Sequence, residues 1–386
     1  MKKRTIFRLI PCLVALLALC AVAHAEPQLY SIQKLREVTS PVWQQTYQAY
    51  GRTITVDQDV YIPQAETAPV ITVRVMPPLS ELQRSELQAW YDQAAKKDPS
   101  RDYYFRSNDW DTCIYHAMYP EWGDRADSEY VYGEMGWGAH GVFDYDMDTA
   151  YAEDNALTLA EAFSIAQERL KEFFPDEEVF LRNVAVYDRT FWKKTNEPIS
   201  KKGRYNLECT QLFHDIPYMA SIYHAFVGQS PMDHEKKQAW REGFGTLYAD
   251  IYDADAYSLG CDFFQETGVL YEDIPLLPFD AVRGKVEELI LGGYVRYVDQ
   301  VALGYVQYNT ENPDELALVP SWVVWCEYVK QGPKAEPSYP LYTQGAFADN
   351  DNYFPLIFNA QTGELMMIGP ENNDLDRCQY PTILTW

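Results

Sequence analysis

His214, His224, Asp215 and Glu208 are the residues whose types and closeness in sequence first suggest metal binding or acid-base chemistry. An imidazole beside a carboxylate can move a proton at neutral pH, and two imidazoles can share a metal ion. The spacing argues against both. Asp215-Ile216-Pro217 reads as the turn of a hairpin, which leaves His214 beside the turn and His224 six or seven residues up the returning strand. At about 3.3 Å per residue the two rings then stand roughly 20 Å apart. His224 can face Glu208 across the ladder, a pairing that stabilises strands more often than it catalyses. Neither H-E-x-x-H nor G-x-S-x-G occurs, which lowers the expectation of an enzyme without excluding an unfamiliar site.

Asp144, Asp146 and Asp148 have the spacing that opens a calcium loop, but Thr149 stands where the turn glycine belongs and Asn155 where the bidentate glutamate belongs. They are a weak calcium candidate on what reads as a period-two strand over 143–148, where a solvated acidic face is the plainer account. Gly136-Trp137-Gly138-Ala139-His140-Gly141 matches the dinucleotide string G-x-G-x-x-G. No helix opens within it to turn its N-terminus on a pyrophosphate, so it reads as an aromatic-glycine loop and no cofactor is expected. The stretch 119–151 is dense in rings amid glycine and acidic residues. Trp122, Tyr130, Tyr132, Trp137 and Tyr145 are its candidate binding residues, by stacking on sugar rings or peptide aromatics. The competing account is that they cover the edge of a core.

The elements that must position these residues follow from periodicity. Leu159, Ala162, Phe163, Ala166 and Leu170 predict a helix over 159–174, with Thr158 as its cap and Glu161 completing a capping box. A second helix follows Pro278, with Phe279, Val282, Val286 and Ile290 on one face and Gly292-Gly293 ending it. Strands follow the first at 179–187, 204–214, 218–227 and 246–253, with a turn at Asp253-Ala254-Asp255 and further strand to about 262. Strands follow the second at 294–308, 316–329 and in a hairpin closed by Asn359-Ala360-Gln361-Thr362-Gly363. Helix then antiparallel meander thus recurs near 120 residues apart. The expectation is an α+β fold: an N-terminal α+β region over 26–150, one repeat over 151–275 and another over 276–386. The N-terminal region carries strands near 52–61 and 69–76 and a helix over 80–97, capped by Ser80 with Gln83, that buries Leu87, Trp90, Tyr91 and Ala94.

Leu157-Thr158-Leu159-Ala160-Glu161-Ala162 and the closing Phe358-Asn359-Ala360-Gln361-Thr362-Gly363-Glu364 resemble the opening and closing signatures of PepSY-type domains. With Leu276-Leu277-Pro278-Phe279, Leu303-Gly304-Tyr305 and Leu318-Val319-Pro320-Ser321-Trp322, the chain over 151–386 is similar to secreted proteins with tandem PepSY-like repeats and to YycH/YycI-type extracytoplasmic regulators. The resemblance implies a non-catalytic regulatory role outside the membrane and supplies no catalytic residue.

Lys2, Lys3, Arg4 and Arg8 precede the apolar run Leu9 to Ala23, which ends in Ala23-His24-Ala25. This is the anatomy of a secretory signal peptide over 1–25, cleaved between Ala25 and Glu26. A lipidated Cys20 is the weaker alternative, because Leu19 precedes it where a small residue is wanted. Removal of that segment takes the net charge from -25 to -29. So acidic a chain lacks the basic face that nucleic acids or anionic membranes require, and no later stretch is apolar for long enough to span a bilayer. Cys209 and Cys261 are 52 residues apart, as are Cys326 and Cys378. Two homologous disulfides are one reading of that spacing, and a buried thiol within Trp322-Val323-Val324-Trp325-Cys326 is another. The functional expectation is an exported binding or regulatory protein whose partner is an extracytoplasmic protein or envelope polymer. The alternative is a secreted hydrolase of envelope polymers with carboxylates as its acid-base groups.

Overall fold

The computed structural model describes residues 28–77, 79–98, 102–107, 112–118, 130–141, 146–152, 155–193, 198–220, 245–310, 312, 315–328 and 353–367. Sixteen strands pair into one connected, mixed sheet, and the described residues include four helices. The α+β expectation of two helix-plus-sheet repeats is therefore corrected: strands dominate, and their pairings cross the boundaries that periodicity had drawn. A strand's N–H and C=O groups need partners wherever they are buried, and local pattern does not say which strand supplies them.

One half of the sheet is wholly antiparallel. Its seven strands run in the order β6 (Tyr130–Gly141), β7 (Val179–Lys193), β8 (Pro198–Phe213), β10 (Thr246–Asp253), β11 (Ala256–Asp262), β5 (Thr112–Met118) and β4 (Asp102–Ser107). The other half is built on the long pair β13 (Val295–Asn309) and β14 (Leu316–Tyr328). Strand β14 also pairs β3 (Val70–Val75) and β15 (Tyr353–Asn359), which carries β16 (Leu365–Met367). Strand β13 pairs in parallel with β2 (Arg52–Tyr61), the partner of β1 (Val42–Ala49), and with β9 (Ile216–Ala220). Strand β12 (Phe264–Tyr271) follows β11 in the chain yet pairs β3 in the second half. The halves are joined where β8 turns into β9 through His214 and Asp215, both at positive φ (51° and 63°). Two left-handed residues are what a two-residue hairpin needs to match strand twist.

The helices are α1 (Ile32–Val38), α2 (Glu81–Lys97), α3 (Leu159–Phe173) and α4 (Phe279–Leu291). In α3 the Thr158–Glu161 capping box forms, and Leu159, Ala162, Ala166 and Leu170 are buried on the antiparallel half against Leu207, Leu247 and Leu259. Helix α4 buries Phe279, Val282, Val286 and Ile290 against β1 and β13 and ends at Gly292, with Gly293 at φ 77°. Phe279 lies 5.4 Å from Trp322 and 5.5 Å from Trp43, and the Trp322 indole donates to the Leu277 carbonyl. Helix α2 has the expected Ser80–Gln83 capping box, but of its expected apolar face only Tyr91 is buried, while Trp90 is 48% exposed.

Three local readings are also corrected. Gly136–Gly141 is not a loop but the end of β6, paired with Asn183 to Tyr187 of β7. Asp146 and Asp148 sit in a turn rather than on a strand: Asp146 accepts from the Asp148 N–H and the Thr149 hydroxyl, and the Tyr151 hydroxyl accepts from the Asp146 N–H. Cys209 and Cys261 are both thiols, because each is paired across the ladder with Leu247, which puts the β10 strand between them. Cys326 is likewise a buried thiol, and Cys378 lies outside the described residues. Among the described residues no helix is long and apolar enough to cross a membrane.

Candidate functional site

Side chains alternate across a strand, so the positions that β8, β10 and β11 bury beneath α3 decide what the other face carries. Tyr205, Leu207 and Cys209, with Leu247, Ala249 and Ile251, go to the helix side. Arg204, Asn206 and Glu208, with Tyr248, Asp250 and Tyr252, therefore go to the opposite one. Among the described residues, helices α2 and α3 both pack on the first face, and the second carries polar groups and tyrosines, as an antiparallel sheet permits.

Cross-strand register orders this second face into rows. One row runs Asn183, Glu208, Tyr248, Gly260, Cys113, Arg106 from β7 to β4, and the next runs Ala185, Asn206, Asp250, Ser258, Tyr115, Tyr104. Asp250 is the hub. It accepts from Asn206 Nδ2 at 2.9 Å and Ser258 Oγ at 3.3 Å and pairs with Arg204 Nη1 at 3.3 Å. The Arg204 guanidinium also donates to the Tyr252 hydroxyl and lies 4.9 Å from the centre of the Tyr187 ring. A second pair, Arg182 to Glu208 at 3.0 Å, is braced by Asn183 donating to Glu208 at 2.7 Å and by Arg182 stacking 4.7 Å over Trp325. Arg204 and Arg182 are buried, so these charges are fixed in place by their partners.

Beyond the buried end the face opens. Tyr248 is 37% exposed and Tyr104 48% exposed. Gly260 stands beside Tyr248, and a Cβ there would meet only Cys113 Sγ at 3.8 Å, so this point of the row is a shallow dip. Strands lie about 4.8 Å apart, which makes the dip roughly 10 Å across from Tyr248 to Cys113, wide enough for one sugar ring or a flat peptide group. Fixed polar groups beside exposed rings suit adhesion to such ligands.

Acid-base candidates are less well built. His214 does meet a carboxylate, Glu266 of β12 at 3.1 Å, but both are substantially exposed beside the hairpin turn. A cavity of about 140 Å³ is lined by Gln167, Leu170, Lys171, Glu177, Glu178, Val179 and Leu212. Burial raises the carboxyl pKa of Glu177 above its ordinary value, although its hydrogen bond from Gln211 works the other way. That glutamine also bonds both the N–H and the C=O of Phe264, so it splices β8 to the start of β12. Glu177 thus serves the join. Among the described residues no group of three His, Cys, Asp or Glu side chains is placed to hold a metal ion.

Of the aromatic residues singled out in the sequence, Tyr130, Tyr132 and Trp137 lie on β6, opposite Lys193, Phe191 and Val186 of β7, at the outer edge of this same seven-stranded sheet. Trp122, Tyr145, Asp144 and His224 lie outside the described residues. Sequence reasoning missed Tyr104, Tyr248, Arg204 and Asp250. The alternation Tyr205-Asn206-Leu207-Glu208-Cys209 marks a two-faced strand, but the ion pair needs the pairing of β8 with β10.

No family model and no curated protein matches the chain. A solved structure does: an uncharacterized protein from Eubacterium rectale ATCC 33656, similar over 88% of this chain and 100% of that one, with a TM-score of 0.52 and 13% identity. At that identity the likeness shows a shared fold alone.

Proposed function

We propose that this chain is an exported, non-catalytic binding protein that acts outside the cytoplasmic membrane and holds an envelope glycan against the open face of its antiparallel sheet. The observation that carries the reading is the contrast within that face: Tyr248 stands exposed beside the Gly260 dip and Tyr104 stands exposed two strands further on, while Asp250, two residues from Tyr248 on β10, is held by three partners. Rings that are exposed on a rigid sheet lose little entropy when a ligand stacks on them, which is how aromatic anchors come to dominate an interface. The signal anatomy of residues 1–25 and the aromatic density of 119–151 support the same reading.

The test is retention of the purified mature protein on insoluble envelope glycan. Tyr104→Ala and Tyr248→Ala should each weaken retention about five-fold or more, the effect of losing roughly 1 kcal/mol at an anchor. Melting temperatures matched to wild type exclude unfolding as the cause. His214→Ala should leave retention unchanged. If the protein instead cleaves the glycan, and His214→Ala or Glu266→Ala abolishes that cleavage in a folded protein, the hydrolase reading replaces this one.

A further inference from the structure

Among the described residues, little is seen to hold helix α2. Of its residues only Tyr91 is buried, and its capping box stabilises its first turn without tying it to the sheet. Such a helix depends on a few contacts, because isolated helices of this length are marginal in water. Two of those contacts, from Trp90 and Tyr91, meet at one imidazole. His116 of β5 stacks against Trp90 at 5.2 Å with 17° between the planes, and against Tyr257 of β11 at 5.1 Å with 15°. The edges of Tyr91 and Tyr103 close on it at 6.1 and 5.5 Å, and Tyr91 in turn stacks 6.3 Å from Phe105. Its Nδ1 is buried and makes no hydrogen bond. The ring is built in as an apolar plate.

We propose that His116 is a pH-sensitive latch: while its imidazole is neutral it pins α2 to the sheet through Trp90 and Tyr91, and protonation releases the helix. A proton taken from solvent would place charge in a pocket whose Nδ1 has no acceptor, a desolvation cost that attraction to the ring faces offsets only in part. The groups facing His116 act in both directions. From α3, Arg169 opposes its protonation and Glu172 favours it; from the β10–β11 turn, Asp255 favours it; the phenols of Tyr91 and Tyr257, pushed up by burial, stay neutral in this range. Burial and Arg169 prevail, holding the imidazole below its ordinary 6.5. An unfolded or released ring then binds protons more readily than the latched one. The latch is intact above the ordinary value and is lost as pH falls through the lowered one.

Hydrogen exchange of the intact protein, corrected for intrinsic rates, tests this at about pH 7.5 and about pH 5, the span in which histidine changes charge. Amides of residues 81–97 should exchange about five-fold or more faster at the lower pH relative to those of 159–173. His116→Phe, which keeps a flat ring without a titrating nitrogen, should retain neutral-pH protection of α2 and lose its pH dependence. His116→Gln serves as the second non-titrating variant should the phenylalanine not pack. Equal protection of α2 at both pH values in wild type overturns the proposal. So does an unchanged pH response in a folded variant, or a His116 ring signal in NMR that titrates at or above 6.5.

Discussion

Among the described glycines with a measured added-Cβ contact, Gly304 is the one at which alanine meets its neighbours most closely, so Gly304→Ala should be damaging. Gly304 lies on β13 where β9 crosses beside it, and a Cβ there would sit 2.1 Å from Met219 Cγ, 3.0 Å from Met219 Cβ and 2.6 Å from the Pro217 carbonyl oxygen. The methionine can move by changing rotamer; the carbonyl belongs to the backbone of β9 and cannot move without shifting the strand that joins the two halves. Overpacking of this kind costs about 1–3 kcal/mol, and the backbone contact places Gly304→Ala near or above the upper end, at about 3 kcal/mol. Gly284 supplies the control, since it lies exposed in α4 with nothing within 4 Å of an added Cβ. Gly284→Ala should therefore stabilise by about 0.5–1 kcal/mol through helix propensity alone. Urea unfolding of the three proteins reads both effects. Adding Met219→Ala to Gly304→Ala should cost less than the two singles summed, because the side-chain part of the clash is then gone while the Pro217 part remains. If Gly304→Ala unfolds within about 0.5 kcal/mol of wild type, the close approach of β9 to β13 is wrong.

Two further substitutions test local claims. Tyr205→Phe should cost about 1–3 kcal/mol in the same urea assay, because the Tyr205 hydroxyl accepts from the Tyr151 N–H at 2.7 Å and donates to the Leu157 carbonyl at 2.8 Å, both left wanting by phenylalanine. Glu177→Gln should keep the Gln211 contact and remove a buried charge. A carboxyl raised by burial binds its proton more tightly in the folded state, so wild-type stability falls as pH rises from 4.5 through the raised value, and the glutamine variant should lose that part of the slope.

What could be read from the sequence was what neighbours in the chain determine. The Thr158–Glu161 and Ser80–Gln83 capping boxes, the apolar stripes of α3 and α4 and the Asp253–Asp255 turn all form, since each rests on residues a few positions apart. Pairing was not legible. The run 264–271 falls within the expected first repeat, 151–275, yet it pairs β3 with Val73 opposite Glu266. Nothing local distinguishes a strand's next neighbour from a distant one. The glycines at 136, 138 and 141 hid β6, because glycine carries no side chain to display a period-two pattern, although its backbone pairs with β7 as well as any residue does. The candidate face was half visible: its ring-bearing edge strand was singled out, whereas Arg204 and Asp250 are 46 positions apart and meet only through the register of β8 and β10. The equal cysteine spacing misled because distance along a chain says nothing of what lies between two strands.

The placement of β3 governs when this chain can fold. Val73 finds its partners at Glu266 and Leu316, roughly 190 and 240 residues later, so this inner strand of the second half is among the first to emerge during synthesis and among the last to be paired. Until then Val70, Ile71 and Val73, all buried in the finished protein, form an unpaired apolar strand, the kind that recruits wrong partners. A ribosome releasing the chain from its N-terminus leaves that segment without its partners for most of synthesis. A fragment ending before residue 316 would have α3 and its sheet to fold, but would leave β3 without β14, open to another molecule.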